Sequence, residues 1–389
     1  MGDKWKEMTL GDFAPFLYGK GLPEKSRHQS GHIPVFGSNG VIGMHNEVLV
    51  NNAGVIIGRK GTVGAVHFSK SPFWPIDTTF YIESKPEREI RYVYYLLRSL
   101  GLEHMNADSA VPGLNRNAAH SRTIFIPPLP EQKAIASILG AMDDKIELNR
   151  KMNETLEAMA RALFKSWFVD FDPIPGLGHH KEWQDSPLGK IPKGWRVKNL
   201  DEIANYLNGL ALQKFPPEDD EFLPVIKIAQ LRKDSTEGSD KASAKIDPAY
   251  VVKDGDVLFS WSGSLEVVIW CGGCGALNQH LFKVTSNLYP RWFYYLWTKQ
   301  YLPDFQTIAA GKATTMGHIQ RHHLAAAKVL VPPPNLLKAM DTIMSPLIEN
   351  KIVNSVQSRT LTSIRDALLP KLLSGEIRVK DAEMFVETV

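Results

Sequence analysis

Three groupings of side chains in this sequence could do chemistry, and each has a plainer reading. Cys271 and Cys274, the only cysteines, form Cys-Gly-Gly-Cys. Such a pair acts as a redox dithiol when it opens a helix, and as half a zinc site when two more ligands stand at ligand spacing. Here Val267-Val268-Ile269-Trp270 before it and Leu277 with Leu281-Phe282 after it read as strand. His280, His318, His322 and His323 repeat no ligand spacing, so ordinary strand cysteines are expected and no metal site is assigned. One pair cannot staple a chain of this size, which points to a reducing compartment. Asp170 and Asp172 could pass for nuclease carboxylates. No basic residue follows at nuclease spacing, and Asp-Pro after a helix is ordinary turn chemistry. Gly58-Arg59-Lys60-Gly61-Thr62-Val63-Gly64 looks like a phosphate cradle but lacks the Gly-x-x-x-x-Gly-Lys-Ser/Thr spacing. It lies between two expected strands, where a nucleotide loop would open a helix, and so reads as a glycine hairpin. No catalytic residue and no cofactor is assigned.

The elements around these groups give more. With 389 residues, 43% hydrophobic and 22% charged, the chain is globular and long enough for two domains of roughly 130–150 residues. No run of about 18 apolar residues occurs, and Met1 to Lys6 has no apolar signal core, which argues against membrane insertion and export. A net charge of +3 permits nucleic-acid binding but confines any phosphate-tracking surface to a local patch. Residues 1–128 read as short strands (33–36, 55–57, 63–68, 78–82, 123–126) with turns at 37–40, 58–62 and 71–72. One amphipathic helix runs from Glu89 to Leu102.

From Pro127-Pro128-Leu129-Pro130-Glu131-Gln132 a helical run extends to about Phe168. Ile135, Ile138, Met142, Met152, Leu156, Met159 and Leu163 follow a heptad rhythm, with Lys145 and Asn149 in the missing places. An interruption is expected near Gly140, with Asp143 or Asp144 capping the resumed helix. Residues 173–192 read as a linker. The pattern then restarts. Lys193 to Val197 matches Lys4 to Met8, Leu200 to Ala204 matches Leu10 to Ala14, and Arg91-Tyr92-Val93-Tyr94-Tyr95-Leu96 returns 200 positions on as Arg291-Trp292-Phe293-Tyr294-Tyr295-Leu296. Pro332-Pro333-Pro334 repeats the proline cluster at 205, ahead of Met340, Ile343, Leu347, Leu361, Ile364 and Leu368. The second helix is expected from about Pro346 to Leu368 or Leu369, ahead of Pro370. Two matching seams most simply pair with each other, antiparallel, with Asn149, Asn350 and Asn354 as polar seam positions that fix register. A first helix of roughly 25 residues past the interruption would be about 38 Å long.

These residues resemble the specificity subunits of type I DNA restriction–modification systems, essentially end to end. The resemblance rests on Ile126 to Gln132, Asp143 to Arg150, Lys165-Ser166-Trp167-Phe168-Val169-Asp170-Phe171-Asp172-Pro173, Ile191 to Trp195, and Leu368 to Ile377. Pro334-Asn335-Leu336-Leu337 departs from the family's Pro-x-x-Glu-Gln. The resemblance implies an α+β fold: two mixed target recognition domains separated by a long antiparallel coiled coil of two conserved helices, as a pseudo-twofold repeat. The segments would be 1–128 and 193–331 for recognition, 129–172 and 332–375 for the helical regions, 173–192 for the linker and 376–389 for a tail. It further implies a cytoplasmic, non-catalytic DNA reader. Each recognition domain would read one half of a bipartite asymmetric target, and the helices would set the spacing, about a helical turn or roughly 34 Å. Two methyltransferase subunits would dock on the helices, and a motor–nuclease subunit would join that complex. No Asn/Asp-Pro-Pro-Tyr/Phe stretch or glycine-rich methyl-donor motif is present, so the chain itself encodes neither methyltransferase nor motor.

In that context the Arg59 and Lys60 hairpin is either a plain turn or a contact to phosphate or a guanine edge. Its counterpart Ser260-Trp261-Ser262-Gly263-Ser264 carries no cation, so the two halves should read different sequences. Expected DNA contacts in the first half are Lys20, Ser38, Asn39, Arg59, Lys60, Thr62, Asn115 and Arg116. In the second they are Lys227, Gln230, Arg232, Trp261, Ser262, Gln279, His280, Lys312, Thr314, Thr315 and His318. Each competes with a solvated-loop reading. Tyr94, Tyr95, Tyr294 and Tyr295 are expected in the core rather than stacked on bases. Two other readings stand beside the leading one. One is an enzyme using the cysteine pair or the acidic turn. The other is a two-domain scaffold that binds proteins without specific DNA binding, which insensitivity of partner capture to DNA and salt would favour.

Overall fold

The computed structural model describes residues 5–27, 31–105, 113–174, 180–218, 220–311 and 317–379. The chain forms two compact units, Met1–Lys145 with Leu361–Val389, and Ile146–Thr360. Each contains a globular part and a portion of both long helices.

In the first unit a four-stranded antiparallel sheet runs in the order Leu17–Tyr18, Thr79–Glu83, Gly54–Gly58, Val66–Ser69. Val55, Ile56 and Ile57 are 0% exposed because this strand is covered on both faces, which explains its unbroken β-branched run. A smaller sheet holds Gly40–His45, Ile33–Gly37 and Trp74–Pro75, and Lys6–Thr9 pairs with Thr123–Ile126. The helix Ile90–Ser99 lays Tyr92, Val93, Leu96 and Leu97 onto the core. In the second unit the same plan returns. Arg196–Asn199 pairs with Lys328–Val331, and a four-stranded sheet runs Asn205–Asn208, Leu281–Thr285, Val257–Ser260, Val267–Ile269. Arg291–Gln300 is the matching helix. A second sheet of four short strands, Lys241–Ser243, Phe222–Ile226, Gly275–Leu277 and Val251–Val252, belongs to this unit. The expected linker contains an antiparallel hairpin, Trp183–Ser186 with Gly189–Pro192, pinned by buried Ile191.

The first long helix, Leu129–Phe168, is continuous over 40 residues, and the break expected near Gly140 is absent. The glycine serves close approach instead. The Arg91 guanidinium donates to the Gly140 carbonyl at 2.8 Å, where a Cβ would lie 2.7 Å from its Cζ. The second long helix, Pro334–Ser374, likewise runs straight through Pro346 and Pro370, against the shorter span expected from the sequence. Each proline forfeits one backbone hydrogen bond, but Met344 and Ile348 around the first and Leu368 and Leu372 around the second are buried. That packing outweighs the local loss.

The heptad seam is half displaced. Ile135, Met142 and Asn149 are buried, but Met152 and Met159 are 42% and 48% exposed. Their places are taken one position on by Asn153 and Ala160, as that of half-buried Ile138 is by Leu139, so the core-facing stripe is 135, 139, 142, 146, 149, 153, 156, 160. Asn153 donates to Lys351 O at 3.2 Å and Ser355 Oγ at 2.9 Å, and Ala160 is fully buried. Asn149, 0% exposed, donates from Nδ2 to Asn354 O, Gln357 Oε1 and Ser358 Oγ; partner numbers fall from 354–358 at Asn149 to 351–355 at Asn153, so the helices are antiparallel in the second unit. Asn350, expected in the seam, is exposed. In the first unit Arg365 donates to Asp143 at 2.6 Å, and Leu368 and Leu372 share a core with Ile135, Leu139 and Met142.

Candidate nucleic-acid interface

In the first unit the ends of three strands and one short helix bring the expected contacts together. Arg59 follows the central strand. Its Nε and Nη2 both donate to Asp77 O, at 3.1 and 2.7 Å, leaving the Nη1 end without a described partner. The Lys60 backbone bridges to Gly113, and Leu114 N–H donates to Arg59 O at 2.9 Å, which carries Asn115 and Arg116 to the same edge. Asn115 caps the helix Arg116–His120 by accepting from Ala118 N–H, so its oxygen is engaged. Arg116 lies with its Cζ 4.9 Å from the Tyr18 ring centroid, and Arg59 Cζ lies 5.5 Å from the same ring. Tyr18 is itself 53% exposed and packs edge-on against Phe80. A guanidinium over a ring face is held by the ring quadrupole at no cost in hydrogen-bonding capacity.

Around this centre, Asn39, Lys60 and Thr62 are exposed. Ser38 is not available. It is 9% exposed, and its hydroxyl turns inward to the Lys60 and Thr78 carbonyls. Lys20 follows the edge strand, with its ammonium 5.7 Å from the Trp74 ring and its carbonyl accepting from Trp74 Nε1.

In the second unit Trp261, Ser262, Gln279, His280 and His318 converge. Trp261 Nε1 donates to Asn208 Oδ1 at 2.7 Å, and its ring lies 5.9 Å from His280 and 6.3 Å from His318. Ser262 Oγ and His280 Nδ1 are 2.9 Å apart, and Gln279 Nε2 meets His280 Nε2 at 3.3 Å. Lys227, Gln230 and Arg232 stand elsewhere, on the helix Ile228–Lys233 and its preceding residue, and are engaged. Lys227 pairs with Asp240, Arg232 pairs with Glu266 at 2.7 Å, and buried Gln230 accepts from Lys227 N–H. Lys312, Thr314 and Thr315 lie outside the described residues.

The other reactive groups have structural places. Cys271 is buried and Cys274 exposed, in the turn after the strand Val267–Ile269, and burial pushes the Cys271 thiol up to about 11. Asp170 and Asp172 close the end of the first long helix, bonded to Lys165 and Ser166. Tyr95 and Tyr295 are core residues whose hydroxyls donate to Asp143 and Glu157 at 2.6 and 2.9 Å.

Beyond geometry, the sequence profile described as "Type I restriction modification DNA specificity domain" matches residues 2–158 and again 192–359. The chain belongs to that family. As a specificity subunit it supplies DNA recognition, not catalysis, to a type I restriction–modification system. Among its relatives, the type I restriction enzyme MjaIX specificity subunit of Methanocaldococcus jannaschii is 28% identical over 340 residues, covering 84% of this chain and 78% of the relative. The HindI specificity subunit of Haemophilus influenzae is 26% identical over 338 residues, covering 68% and 71%. The type I S subunit from M. genitalium has a similar fold, with a TM-score of 0.63 at 16% identity, over 95% of this chain and 96% of that one.

Within this specificity subunit, sequence reasoning missed Tyr18 and Asn208 as parts of the two clusters. An aromatic residue inside Phe16-Leu17-Tyr18-Gly19-Lys20 looks like any strand residue. Its exposure comes from lying on the edge strand, which periodicity over two residues cannot reveal. Arg321 was also missed, although it opens the helix Arg321–Ala326 as Arg116 opens Arg116–His120. The repeat itself carried that signal.

Proposed function

We propose that each unit of this specificity subunit reads one half of a bipartite, asymmetric DNA target, through the Tyr18, Arg59, Lys60 and Arg116 cluster in the first and the Trp261, Ser262, Gln279 and His280 cluster in the second. The observation that carries this is that register-equivalent edges of the two four-stranded sheets hold different side chains on the same frame. One frame with two side-chain sets suits one recognition mode applied to two base sequences. Recognition segments 1–128 and 193–331 and helical regions 129–172 and 332–375 are the corresponding division, with 173–192 joining them and 376–389 as a tail. In this reading the paired helices set the distance between half-sites and carry the docking surface for two methyltransferase subunits, through which a motor–nuclease subunit joins, in the cytoplasm. The antiparallel contacts through Asn149 and Asn153 support a fixed helix register. Among the described residues no helix is long and apolar enough to cross a membrane.

The test uses the chain assembled with methyltransferase subunits and a target recovered from a randomised duplex pool. Lengthening or shortening the non-contacted spacer by one base pair should abolish preferential binding while leaving non-target binding intact. Indifference to spacer length refutes the spacing role, and failure to enrich any split target refutes half-site reading.

A further inference from the structure

Strand register makes the two sheets comparable residue by residue. Tyr18 pairs with Phe80 and Phe80 with Ile57, while Asn208 pairs with Phe282 and Phe282 with Phe259. Tyr18 therefore corresponds to Asn208, and Arg59, two residues past Ile57, to Trp261. The cross-links agree. Leu114 N–H donates to Arg59 O at 2.9 Å, and Ile319 N–H donates to Trp261 O at 3.0 Å. The Lys60 to Gly113 bridge is repeated by Ser262 to His318. Counting two residues on from Leu114 and Ile319 gives Arg116 and Arg321.

Of these pairs, only the last keeps its charge. Arg321 is exposed, donates to Tyr206 O at 3.2 Å and lies 5.8 Å from the Phe282 ring. With Asn208 where the first unit has Tyr18, it uses the next ring along the same edge. Asp201 and Glu202 border the same cleft, but Arg321 forms no ion pair with either among the described residues. The Arg116 side chain has no hydrogen-bond or ion-pair partner among the described residues and lies over the Tyr18 ring. At the other two positions Tyr18 and Arg59 become Asn208 and Trp261.

We infer that Arg116 and Arg321 are equivalent phosphate contacts, that Arg59 reads a base edge in the first unit's half-site, and that Tyr18 is the residue positioning both guanidinium groups there. These roles rest on the half-site reading above. A phosphate contact carries no sequence information, so a repeat whose halves read different bases can keep it in both. A base contact has to differ. Arg59 suits the second role because its Nε and Nη2 are held on Asp77 O and its guanidinium lies against the Tyr18 ring, which together fix the group and leave its Nη1/Nη2 end to meet O6 and N7 of guanine. Trp261 at the same place offers no cation, and its indole N–H is already given to Asn208.

The test uses the full chain assembled with methyltransferase subunits and two probes, a randomised duplex pool and one fixed non-target duplex titrated with salt. Arg116→Gln and Arg321→Gln should each lower the slope of log affinity against log salt by about 0.9 and leave the enriched motif unchanged. Arg116→Lys and Arg321→Lys should restore the slope, because charge alone is required. Arg59→Gln should remove the preference at one base pair, weaken binding to the enriched target roughly 10- to 100-fold and leave non-target binding as it was. Arg59→Lys should not restore that base pair's preference to the wild-type level. Tyr18→Ala should blur the same base pair, and Tyr18→Phe should not, since the ring and not the hydroxyl holds the arginines. A changed motif in either Arg116 or Arg321 variant, or a lowered salt slope with an intact motif in Arg59→Gln, overturns the assignment. If the unaltered complex enriches no motif at all, the half-site reading fails and takes this inference with it. If it enriches one and the variants exchange behaviours, this inference alone is lost.

Discussion

Glu157 offers the sharpest test of how the helices hold the second unit together. It projects from the first long helix, its side chain 12% exposed, onto Lys299 of the helix Arg291–Gln300 and Lys351 of the second long helix, at 2.5 and 2.6 Å. Tyr295 also donates to it at 2.9 Å. Burial by itself would raise the carboxyl pKa, but the two ammonium groups outweigh it and hold the group at about 2, against 4.5. A depression of that size corresponds to about 3 kcal/mol of stability. Burial also pulls Lys299 below its ordinary value, which returns part of that gain. Glu157→Gln keeps the shape and leaves two lysines facing an uncharged amide, so a loss of about 3 kcal/mol at neutral pH is expected, at the lower end for breaking a buried pair. The folded pKa is depressed, so the contribution is complete above about 4.5 and lost as pH falls through about 2. The gap between wild type and variant should therefore fall below half by about pH 3. Denaturant unfolding followed by tryptophan fluorescence reads this unit, because seven of the nine tryptophans (167, 183, 195, 261, 270, 292 and 297) belong to it. A loss under about 1 kcal/mol at pH 7, or a gap independent of pH, would refute the reasoning.

Three further outcomes follow from local geometry. Gly140→Ala should destabilise the first unit by about 1 kcal/mol, although an exposed helix interior would gain about that much. The added Cβ meets the Arg91 guanidinium, which is tied to Asp144 and Gly140 O; a stabilised variant in thermal melts would contradict it. Asn149→Asp should cost about 3 kcal/mol or more, since a carboxylate would face Asn354 O and Gln357 Oε1 where an amide now donates. An unchanged denaturation midpoint would rule that out. With Cys271 buried and its thiol at about 11, a thiol reagent at pH 8 should label Cys274 alone in the folded chain and both cysteines in denaturant. Two labels in the folded state would show that the turn opens.

The strand at Thr123–Ile126 and the helix after Glu89 were legible because each carries its own period over several residues. The edge strands Leu17–Tyr18 and Trp74–Pro75 were not, since two residues hold no period and their pairing partners lie more than 35 residues away. The long helices were legible in existence and pairing, but not in continuity. Gly140, Pro346 and Pro370 are sound local reasons to stop a helix, and all three were overridden by packing. The seam shows the same limit. Residues 135, 142, 149 and 156 belong to both possible stripes, and only the partner helix selects 139, 153 and 160 over 138, 152 and 159.

At the candidate interface, the sequence singled out the Arg59–Lys60 turn, its uncharged counterpart at 260–264, and residues 115 and 116, and the fold brings 59, 60, 115 and 116 to one edge. It also favoured Ser38, whose hydroxyl turns to carbonyls inside the fold. What the sequence by itself determined was the duplication, the two helices and the difference between the halves, because these are properties of residue order. Tertiary structure alone decided that Tyr18 lies between two arginines and that Asn208 takes its place in the second unit. Those are contacts between residues far apart in the chain, set by strand register, and no local pattern encodes a register.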